Sequence, residues 1–273
     1  MIRAVIRALS RVAAFAALLA LAVPATAQDS TSAVSQASTT PPSRVPWGVG
    51  ELLEYDISFG KIHVGNGNME VLPMDTVRGH NTWHTIFRLN GGIPFYRVHD
   101  KYEDWSDVLS LSSLRYRQDI DEGGYEPKRL YEIYPERKEY HEVSKSDATP
   151  QPSVAHPLSD ASFIYFLRTV PLRMGMDTSF SDYFRADRNP VHFKVVRRDT
   201  IKVGAGKFAT IVIQPSFPSK LFCDGCKAEV WLSDDDNRIV VQMKSKVSFG
   251  SLSLYLKNYK PSPTTNVPLN RVP

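Results

Sequence analysis

The segment VHFKVVRRDTIKV, Val191 to Val203, decides the fold class of this chain. Its apolar side chains fall on one side of an extended backbone: Val191, Phe193, Val195, Ile201 and Val203. The other side carries mostly Lys, Arg and His, and such a period of two is typical of a β-strand with one buried face. The apolar face is interrupted near Arg197, so we expect a β-bulge or a sharp bend there.

The same period recurs outward from this segment, in ELLEYDISFG from Glu51, in RIVVQMKSKVSFG from Arg238 and in SLSLYLK from Ser251. Short turn signals separate the runs, among them Gly91-Gly92 and Glu122-Gly123-Gly124. Many strands with short connections indicate an antiparallel meander. The sequence therefore predicts an all-β fold, a coiled β-roll or barrel-like sheet of about a dozen strands.

One segment, LSDASFIYFLRTVP, breaks the pattern and predicts a short α-helix near residues 160–170. Ser159 is a suitable N-cap, and the negative charge of Asp160 in the first turn suits the helix dipole. Apolar residues follow at helical spacing: Phe163, Phe166, Leu167 and Val170. Pro171 ends the helix. We expect this aromatic stripe to pack against the sheet, at an open end of it.

The N-terminus has the features of a secretory signal peptide. Arg3, Arg7 and Arg11 precede a short apolar run, Val12 to Val23, and an A-x-A sequence follows up to Ala27. The run is shorter than the roughly 20 residues of a membrane-spanning helix. No later stretch of the sequence is long and apolar enough to span a membrane as a helix. We expect cleavage after Ala27 and a periplasmic or secreted protein.

Composition divides the remaining chain into three parts. Residues 28–46 are rich in Ser, Thr, Ala and Pro and predict a disordered leader, and residues 261–273 predict a disordered tail. Residues 47–260 are long enough for a single β-rich domain. The chain carries a net charge of +4, and three of these charges are signal-peptide arginines. The near-neutral mature chain has no electrostatic footprint for nucleic acid.

Both cysteines lie in the sequence CDGC, at Cys223 and Cys226. A thioredoxin-type site needs the first thiol at a helix N-terminus, whereas a strand follows here. A zinc site needs two further ligands, and the histidines are scattered. We favour a disulfide across the Asp-Gly turn, because exported proteins meet an oxidising compartment; metal and redox roles remain open.

The acidic run from Asp234 to Asn237 superficially resembles a calcium loop. A helix-loop-helix calcium site needs alternate ligands, a central Gly and a Glu at position twelve, but this run leads directly into the apolar residues after Arg238. Asp and Asn readily cap tight turns with their own side chains. The run therefore predicts a hairpin turn between two strands.

The segment FYRVHDKYEDWSD, Phe95 to Asp107, holds the best candidates for a functional site. As a strand it places five residues on one face: Tyr96, Val98, Asp100, Tyr102 and Asp104. An inward-facing Asp100 could act as a general acid with a raised pKa, or it could be a structural residue satisfied by tyrosine hydroxyls. The opposite face, with Arg97, Lys101 and Glu103, suits cross-strand ion pairs.

Several segments, in this order, resemble those of the bacterial family of domains of unknown function 3108. They are GVGELLEYDISFGKIHVGNGNMEV, FYRVHDKYEDWSD, LSDASFIYFLRTVPLRMGM, VGAGKFATIVIQP and EVWLSDDDNRIVVQMKSKVSFGSLSLYL. The resemblance covers about residues 48–259, and the CDGC sequence is not part of the family pattern. It implies an exported, β-rich protein of the cell envelope and brings no catalytic residues with it.

We interpret the chain as an exported cell-envelope protein that binds rather than catalyses. Inward tyrosines and phenylalanines of such a sheet can enclose an amphipathic ligand, namely a lipid, a lipoprotein or an envelope polysaccharide. The candidate ligand-binding residues are Tyr55, Phe59, Tyr96, Asp100 and Tyr102. The sequence predicts no cofactor and no metal site.

Two alternatives remain. One is a hydrolase of envelope glycans that uses a carboxylate such as Asp100 or Glu103, of which at most one could serve a given site because they lie on opposite faces. The other is a purely structural interaction domain of the envelope.

Overall fold

A computed structural model of the protein describes residues 45–94, 96–216, 228–247 and 250–263. These residues form fifteen strands and one α-helix. In chain order the elements are β1 (Leu52–Phe59), β2 (Ile62–Val71), β3 (Asp75–Val77), β4 (His80–Ile93), β5 (Tyr96–Asp107), β6 (Ser113–Asp119), β7 (Lys128–Tyr134), β8 (Glu139–Glu142), β9 (Gln151–Pro152), α1 (Asp160–Thr169), β10 (Asp177–Phe180), β11 (Val191–Val203), β12 (Gly206–Ser216), β13 (Ala228–Ser233), β14 (Val240–Val247) and β15 (Gly250–Lys260).

All of these strands belong to one antiparallel sheet in which most strands pair with their neighbours in the chain. The sheet runs from β10 through β15 to β1, and from β1 onward to β9, while the short strand β3 pairs beside β4. The predicted all-β antiparallel meander is therefore confirmed. The number of strands exceeds a dozen because β3, β8 and β9 contain only 3, 4 and 2 residues, too few to show a period of two.

Bulges adjust the register where the sequence pattern is irregular. In β11 the pairing with β12 slips by one residue between Val195 and Arg197, as the interrupted apolar face predicts. A second irregularity separates Trp231 and Leu232 in their pairing with β14. Near it Val240 and Val241 are both buried, although a strict alternation would expose one of them.

The inner faces of strands from both halves of the sheet share one apolar core with the helix. Its large, fully buried side chains include Tyr55 from β1, Tyr116 from β6, Phe163 from α1, Phe193 from β11 and Phe208 from β12. Strands far apart in the sheet order reach the same core only if the sheet coils upon itself. This is the predicted barrel-like roll.

The helix lies across one end of the roll. Its N-cap is Ser159, as predicted, and Ser159 also forms a reciprocal capping box with Ser162. Its last turn holds Arg168, which bonds to Glu51 just before β1 and to the carbonyl of Asn237 in the β13–β14 turn. Because these elements meet at the same end of an antiparallel meander, α1 covers that end. The helix is buried on nearly all sides, so its buried surface is wider than the predicted stripe.

The acidic run forms the β13–β14 turn, as predicted. Oδ1 of Asp235 accepts the Ser233 hydroxyl and the backbone N–H groups of Asn237 and Arg238. The Ser233 hydroxyl oxygen in turn accepts the N–H of Ile239. The carboxylate therefore satisfies backbone donors at a reversal of the chain, which is the ordinary role of Asp in a turn.

The ends of the domain pack slightly beyond the predicted boundaries of 47 and 260. The Pro46 carbonyl accepts a bond from Arg168, and the Ser262 hydroxyl donates to the Val49 carbonyl at 2.8 Å. The signal peptide, most of the leader and most of the tail lie outside the described residues, so this division of the chain stays a prediction. Among the described residues, no helix has the length and apolar composition to cross a membrane.

Cys223 and Cys226 also lie outside the described residues, and their disulfide stays a prediction. We expect protein purified from an oxidising compartment to resist alkylation until a reductant is added, because the two sulfurs are bonded to each other before reduction. Mass spectrometry after alkylation measures this directly. The addition of two alkyl groups without reductant would show free thiols and contradict the disulfide.

Candidate functional site

An apolar cleft of about 110 Å³ opens at the end of the roll opposite the helix. The strands β1, β2, β4, β5 and β15 form its walls. The lining residues are Ile57, Phe59, Val64, Asn90, Gly91, Gly92, Ile93, Tyr96, Val98 and Leu252. They lie next to the β1–β2, β4–β5 and β14–β15 hairpins, so the cleft is a gap between the rims of three adjacent hairpins.

Two paired glycines allow β2 and β4 to approach closely beside the cleft. Gly65 of β2 and Gly91 of β4 lie opposite each other in the sheet. A Cβ on Gly91 would lie 2.3 Å from the Val64 carbonyl oxygen, which no real side chain tolerates. Gly91 is two residues from the inward-facing Leu89 and so occupies an inward position as well. The missing side chains leave space on the inner wall and allow β2 and β4 to approach closely.

A wider, open depression of about 540 Å³ adjoins the cleft and shares four of its lining residues, Gly91, Gly92, Ile93 and Tyr96. Arg97 lines the depression, and its guanidinium pairs with Asp121 at 3.1 Å. Two apolar side chains at this end of the roll face solvent: Ile62 is 68% exposed and Ile93 is 55% exposed. The cleft therefore opens toward an apolar rim with a charged group beside it.

The structure separates the five predicted site residues into two groups. Phe59 and Tyr96 line the cleft. Tyr55 and Tyr102 instead lie in the core. The Tyr55 hydroxyl donates to the Val240 carbonyl at 2.9 Å, and burial raises the pKa of Tyr55 well above its ordinary value. Tyr55 therefore stabilises the fold and does not reach the cleft.

Asp100 lies on the inner face of β5, as predicted, and is only 2% exposed. It accepts the backbone N–H of Asp121 at 3.2 Å and the Tyr102 hydroxyl at 3.4 Å. These bonds are those of a structural acceptor. Val98, the next residue on the same face, lines the cleft, so Asp100 lies directly below the cleft wall.

The outer face of β5 carries the predicted ion pairs. Lys101 pairs with Glu103 at 3.1 Å and with Asp119 of β6 at 3.4 Å. The His84 imidazole, whose Nε2 lies 3.7 Å from Oε1 of Glu103, and the Lys101 ammonium together lower the pKa of Glu103 to about 2, although partial burial opposes the shift. Glu103 therefore stays ionised on the face away from Asp100.

Sequence reasoning missed a buried polar cluster at the other end of the roll. The Asp104 carboxylate accepts hydroxyl bonds from Ser106, Ser113 and the helix N-cap Ser159. Burial raises the pKa of Asp104 to about 6, although the three hydroxyls oppose that shift. The cluster joins β5 and β6 to the helix N-terminus. It could not be foreseen, because its members are scattered along the chain.

A second carboxylate anchors the same helix end. Asp160 accepts bonds from the Tyr116 hydroxyl at 3.0 Å, the Gln118 side chain at 3.1 Å and the Tyr183 hydroxyl at 3.0 Å. Both buried carboxylates are thus used to fix the helix. Within the part of the chain that the structure describes, no group of three or more His, Cys, Asp or Glu side chains could hold a metal ion.

Comparison with solved structures shows a barrel-like fold. A β-barrel-like protein of the domain of unknown function DUF1849 from Brucella abortus is 13% identical, with a TM-score of 0.51 over 80% of this chain and 99% of that chain. A Bacteroides fragilis protein described as exported, with a YmcC-like fold, is 12% identical over 79% of this chain and 98% of its own, with a TM-score of 0.30. A Parabacteroides distasonis protein described as a lipoprotein is 8% identical over the same shares, with a TM-score of 0.28. TM-scores this low do not establish a shared fold for the last two.

No curated protein sequence matches the chain. The family model named protein of unknown function DUF3108 matches residues 54–257, which span β1 to β15 and so nearly the entire described sheet. The resemblance inferred from the order of the sequence segments is thereby confirmed, and the chain belongs to the DUF3108 family.

Proposed function

We propose that the protein is an exported binding protein that takes an apolar part of an amphipathic ligand into the cleft between the β1–β2, β4–β5 and β14–β15 hairpins. The observation that carries this proposal is the cleft itself. It is a gap of about 110 Å³ lined almost wholly by apolar side chains, among them Ile57, Val64 and Leu252. Ligand sites in proteins are typically concave and mostly apolar, with few polar groups.

The volume of the cleft limits the size of the group that it can hold. An apolar cavity of about 150 Å³ in another protein holds one benzene molecule, so a cleft of about 110 Å³ takes a short hydrocarbon segment and not a whole lipid. The remainder of the ligand would rest in the adjoining open depression. An acyl chain end or a similar apolar group of a lipid or lipoprotein fits this description better than a polysaccharide does.

The hydrolase alternative has weaker support. Glu103 lies on the outer face and is paired, whereas Asp100 is buried and occupied by hydrogen bonds from Asp121 and Tyr102. The two carboxylates therefore cannot act together on one bond. Asp104, whose raised pKa would suit a general acid, lies in the serine cluster beside the helix, at the opposite end of the roll from the cleft.

Filling the cleft tests the proposal. The substitution Val64→Trp places an indole in the cleft, so we expect it to weaken binding by at least about tenfold. Binding is measured by fluorescence titration with N-phenyl-1-naphthylamine, a neutral apolar probe, on protein freed of bound lipid. Val203→Trp is the matched control, because Val203 is also a partly buried valine against the core but lies in the β11–β12 hairpin, outside the cleft.

Three results would contradict the proposal: no binding of the probe by the wild type, unchanged affinity of Val64→Trp, or an equal loss in both variants. Native mass spectrometry of the protein from the periplasm gives an independent measurement. A stoichiometric lipid that is present in the wild type and absent from Val64→Trp is the expected result.

A further inference from the structure

The rim of the cleft presents two isoleucines to solvent at the tips of neighbouring hairpins. Ile62 begins β2, is 68% exposed and pairs opposite Phe59, which lines the cleft. Ile93 ends β4, is 55% exposed and lines both the cleft and the adjoining depression. Because β2 and β4 pair with each other up to Gly65 and Gly91 at this end, the two tips lie side by side. The mouth of the cleft therefore carries an apolar edge that faces solvent.

The three hairpins that surround the cleft contain no acidic residue near their tips. Neither Asp nor Glu occurs in residues 57–69, around the β1–β2 turn, in residues 76–99, which include the β4–β5 turn, or in residues 237–260, which include the β14–β15 turn. Each hairpin instead has a basic residue at or near its tip: Lys61, Arg97 and Lys246. The hairpins around the cleft thus combine apolar side chains with positive charge.

Acidic residues reach this end of the roll from the β6–β7 connection. Asp121 pairs with the Arg97 guanidinium at 3.1 Å and Glu122 is buried, whereas Glu126 is exposed. Lys61, which is next to Ile62 at the β1–β2 tip, is exposed as well. Anionic lipid headgroups above hydrocarbon complement an apolar tip that has a lysine beside it. A second copy of the chain complements it poorly, because a twofold contact centred on Ile62 would bring two Lys61 charges together.

We propose that the open end of the roll docks on an anionic lipid bilayer, with Ile62 and Ile93 entering the boundary between headgroups and acyl chains and Lys61 lying beside the headgroups. This inference rests on the proposed function and names the source of its ligand. The mouth of the cleft then faces the acyl chains of the bilayer. An acyl chain end enters the cleft without exposing its methylene groups to water, which is the main cost of such a transfer.

Co-sedimentation with lipid vesicles tests the inference. The wild type should bind vesicles of equal parts phosphatidylcholine and phosphatidylglycerol, and it should bind pure phosphatidylcholine vesicles at least about fivefold more weakly. Ile62→Asp should weaken binding to the anionic vesicles by at least about tenfold, because a charge replaces an apolar anchor. Lys61→Gln should weaken binding to the anionic vesicles about fivefold and leave binding to phosphatidylcholine vesicles unchanged.

Leu109→Asp is the matched control. Leu109 is 80% exposed, more than Ile62, but it lies between β5 and β6 at the helix end of the roll. Its replacement should therefore leave vesicle binding unchanged, and circular dichroism checks that every variant is folded. The inference is overturned by a wild type that binds neither vesicle, or by an equal loss in Ile62→Asp and Leu109→Asp. A wild-type dimer that Ile62→Asp dissociates would also overturn it, since a second copy would then cover this face.

Titration with N-phenyl-1-naphthylamine separates docking from the proposed function. Ile62 is not one of the described residues that line the cleft, so Ile62→Asp should bind the probe with unchanged affinity. Val64→Trp should lose the probe and still bind the anionic vesicles. Probe binding by a wild type that does not bind vesicles would refute docking and leave the proposed function standing. Vesicle binding by a wild type that does not bind the probe would support docking and contradict the proposed function.

Discussion

Replacing Arg168 with methionine is expected to lower the free energy of unfolding by about 3–5 kcal/mol. Arg168 and Glu51 form a two-bond ion pair, with Nη1 to Oε1 at 2.6 Å and Nη2 to Oε2 at 2.9 Å, and neither side chain has any exposed surface. The substitution leaves the Glu51 carboxylate buried, with the Tyr259 hydroxyl at 3.3 Å as a remaining donor. It also removes the bonds that tie the helix to the Asn237 carbonyl.

The expected loss of stability is large because the substitution leaves the Glu51 carboxylate buried without its positively charged partner. Burial by itself would lower the pKa of Arg168, but the charge and hydrogen bonds of Glu51 outweigh burial and raise it. The pair is therefore strongly coupled. Replacing both residues with methionine should recover most of the lost stability, since no buried charge then remains.

Arg88→Met is the matched control. Arg88 pairs with Glu70 at 3.0 Å, but the two side chains are 34% and 31% exposed. Such a surface pair contributes at most about 1 kcal/mol. Urea unfolding of the three variants and the wild type, followed by circular dichroism, measures the differences. A loss for Arg168→Met no larger than that for Arg88→Met would show that the buried pair does not stabilise the fold.

Asp104 is expected to make stability depend on pH between about 4 and about 6. Burial raises its pKa from 3.8 to about 6 in the folded state. Between these values the folded protein binds a proton that the unfolded chain releases, so the free energy of unfolding falls as pH rises. The difference of about two units between the folded and unfolded pKa of Asp104 corresponds to a contribution on the order of 3 kcal/mol to the free energy of unfolding. This contribution is fully present below pH 4 and is lost above pH 6.

The variant Asp104→Asn should lose this dependence, because its side chain does not titrate. The amide oxygen can still accept bonds from Ser113 and Ser159, and the amide nitrogen can donate to Ser106. Asp104→Ala removes every acceptor from three buried hydroxyls, so it should destabilise the protein by roughly 3–5 kcal/mol at pH 7.

The measurement is the difference in unfolding free energy between wild type and Asp104→Asn at pH 4, 5, 6 and 7. Taking the difference removes the contributions of other groups, including Glu103. The lowered pKa of Glu103 gives stability that is lost only as pH falls from about 4.5 toward 2. A difference that stays constant from pH 4 to 7 would show that Asp104 keeps an ordinary pKa in the folded protein.

The order of polar and apolar residues predicts most of the architecture. Alternation in β11 identifies the buried Phe193 and the bulge next to Arg197, and the acidic run identifies the turn around Asp235. The helix follows from Ser159, Asp160 and the apolar spacing after them. These features are local, because a strand period, a cap and a turn each depend on residues within a few positions of one another.

The candidate site was predicted only in part. Alternation places Tyr55, Phe59, Tyr96, Asp100 and Tyr102 on inner faces, but it does not say how far along the roll each one lies. Phe59 directly precedes the β1–β2 hairpin and Tyr96 directly follows the turn between β4 and β5, so both reach the open end of the roll. Tyr55 and Tyr102 lie deeper, in the core. Val64 and Leu252 line the cleft for the same reason, since each lies just after a hairpin.

The sequence by itself determined the longer strands, their turns, the helix α1 and the inward side of each longer strand, because these depend on neighbours in the chain. Only the tertiary structure decided which inward residues meet. The pairing of β15 with β1 brings Leu252 to Phe59, and the coiling of the sheet brings Arg168 to Glu51, 117 residues away. Contacts between such distant residues depend on how strongly the sheet coils and where the helix closes it, and no local pattern of residues encodes either.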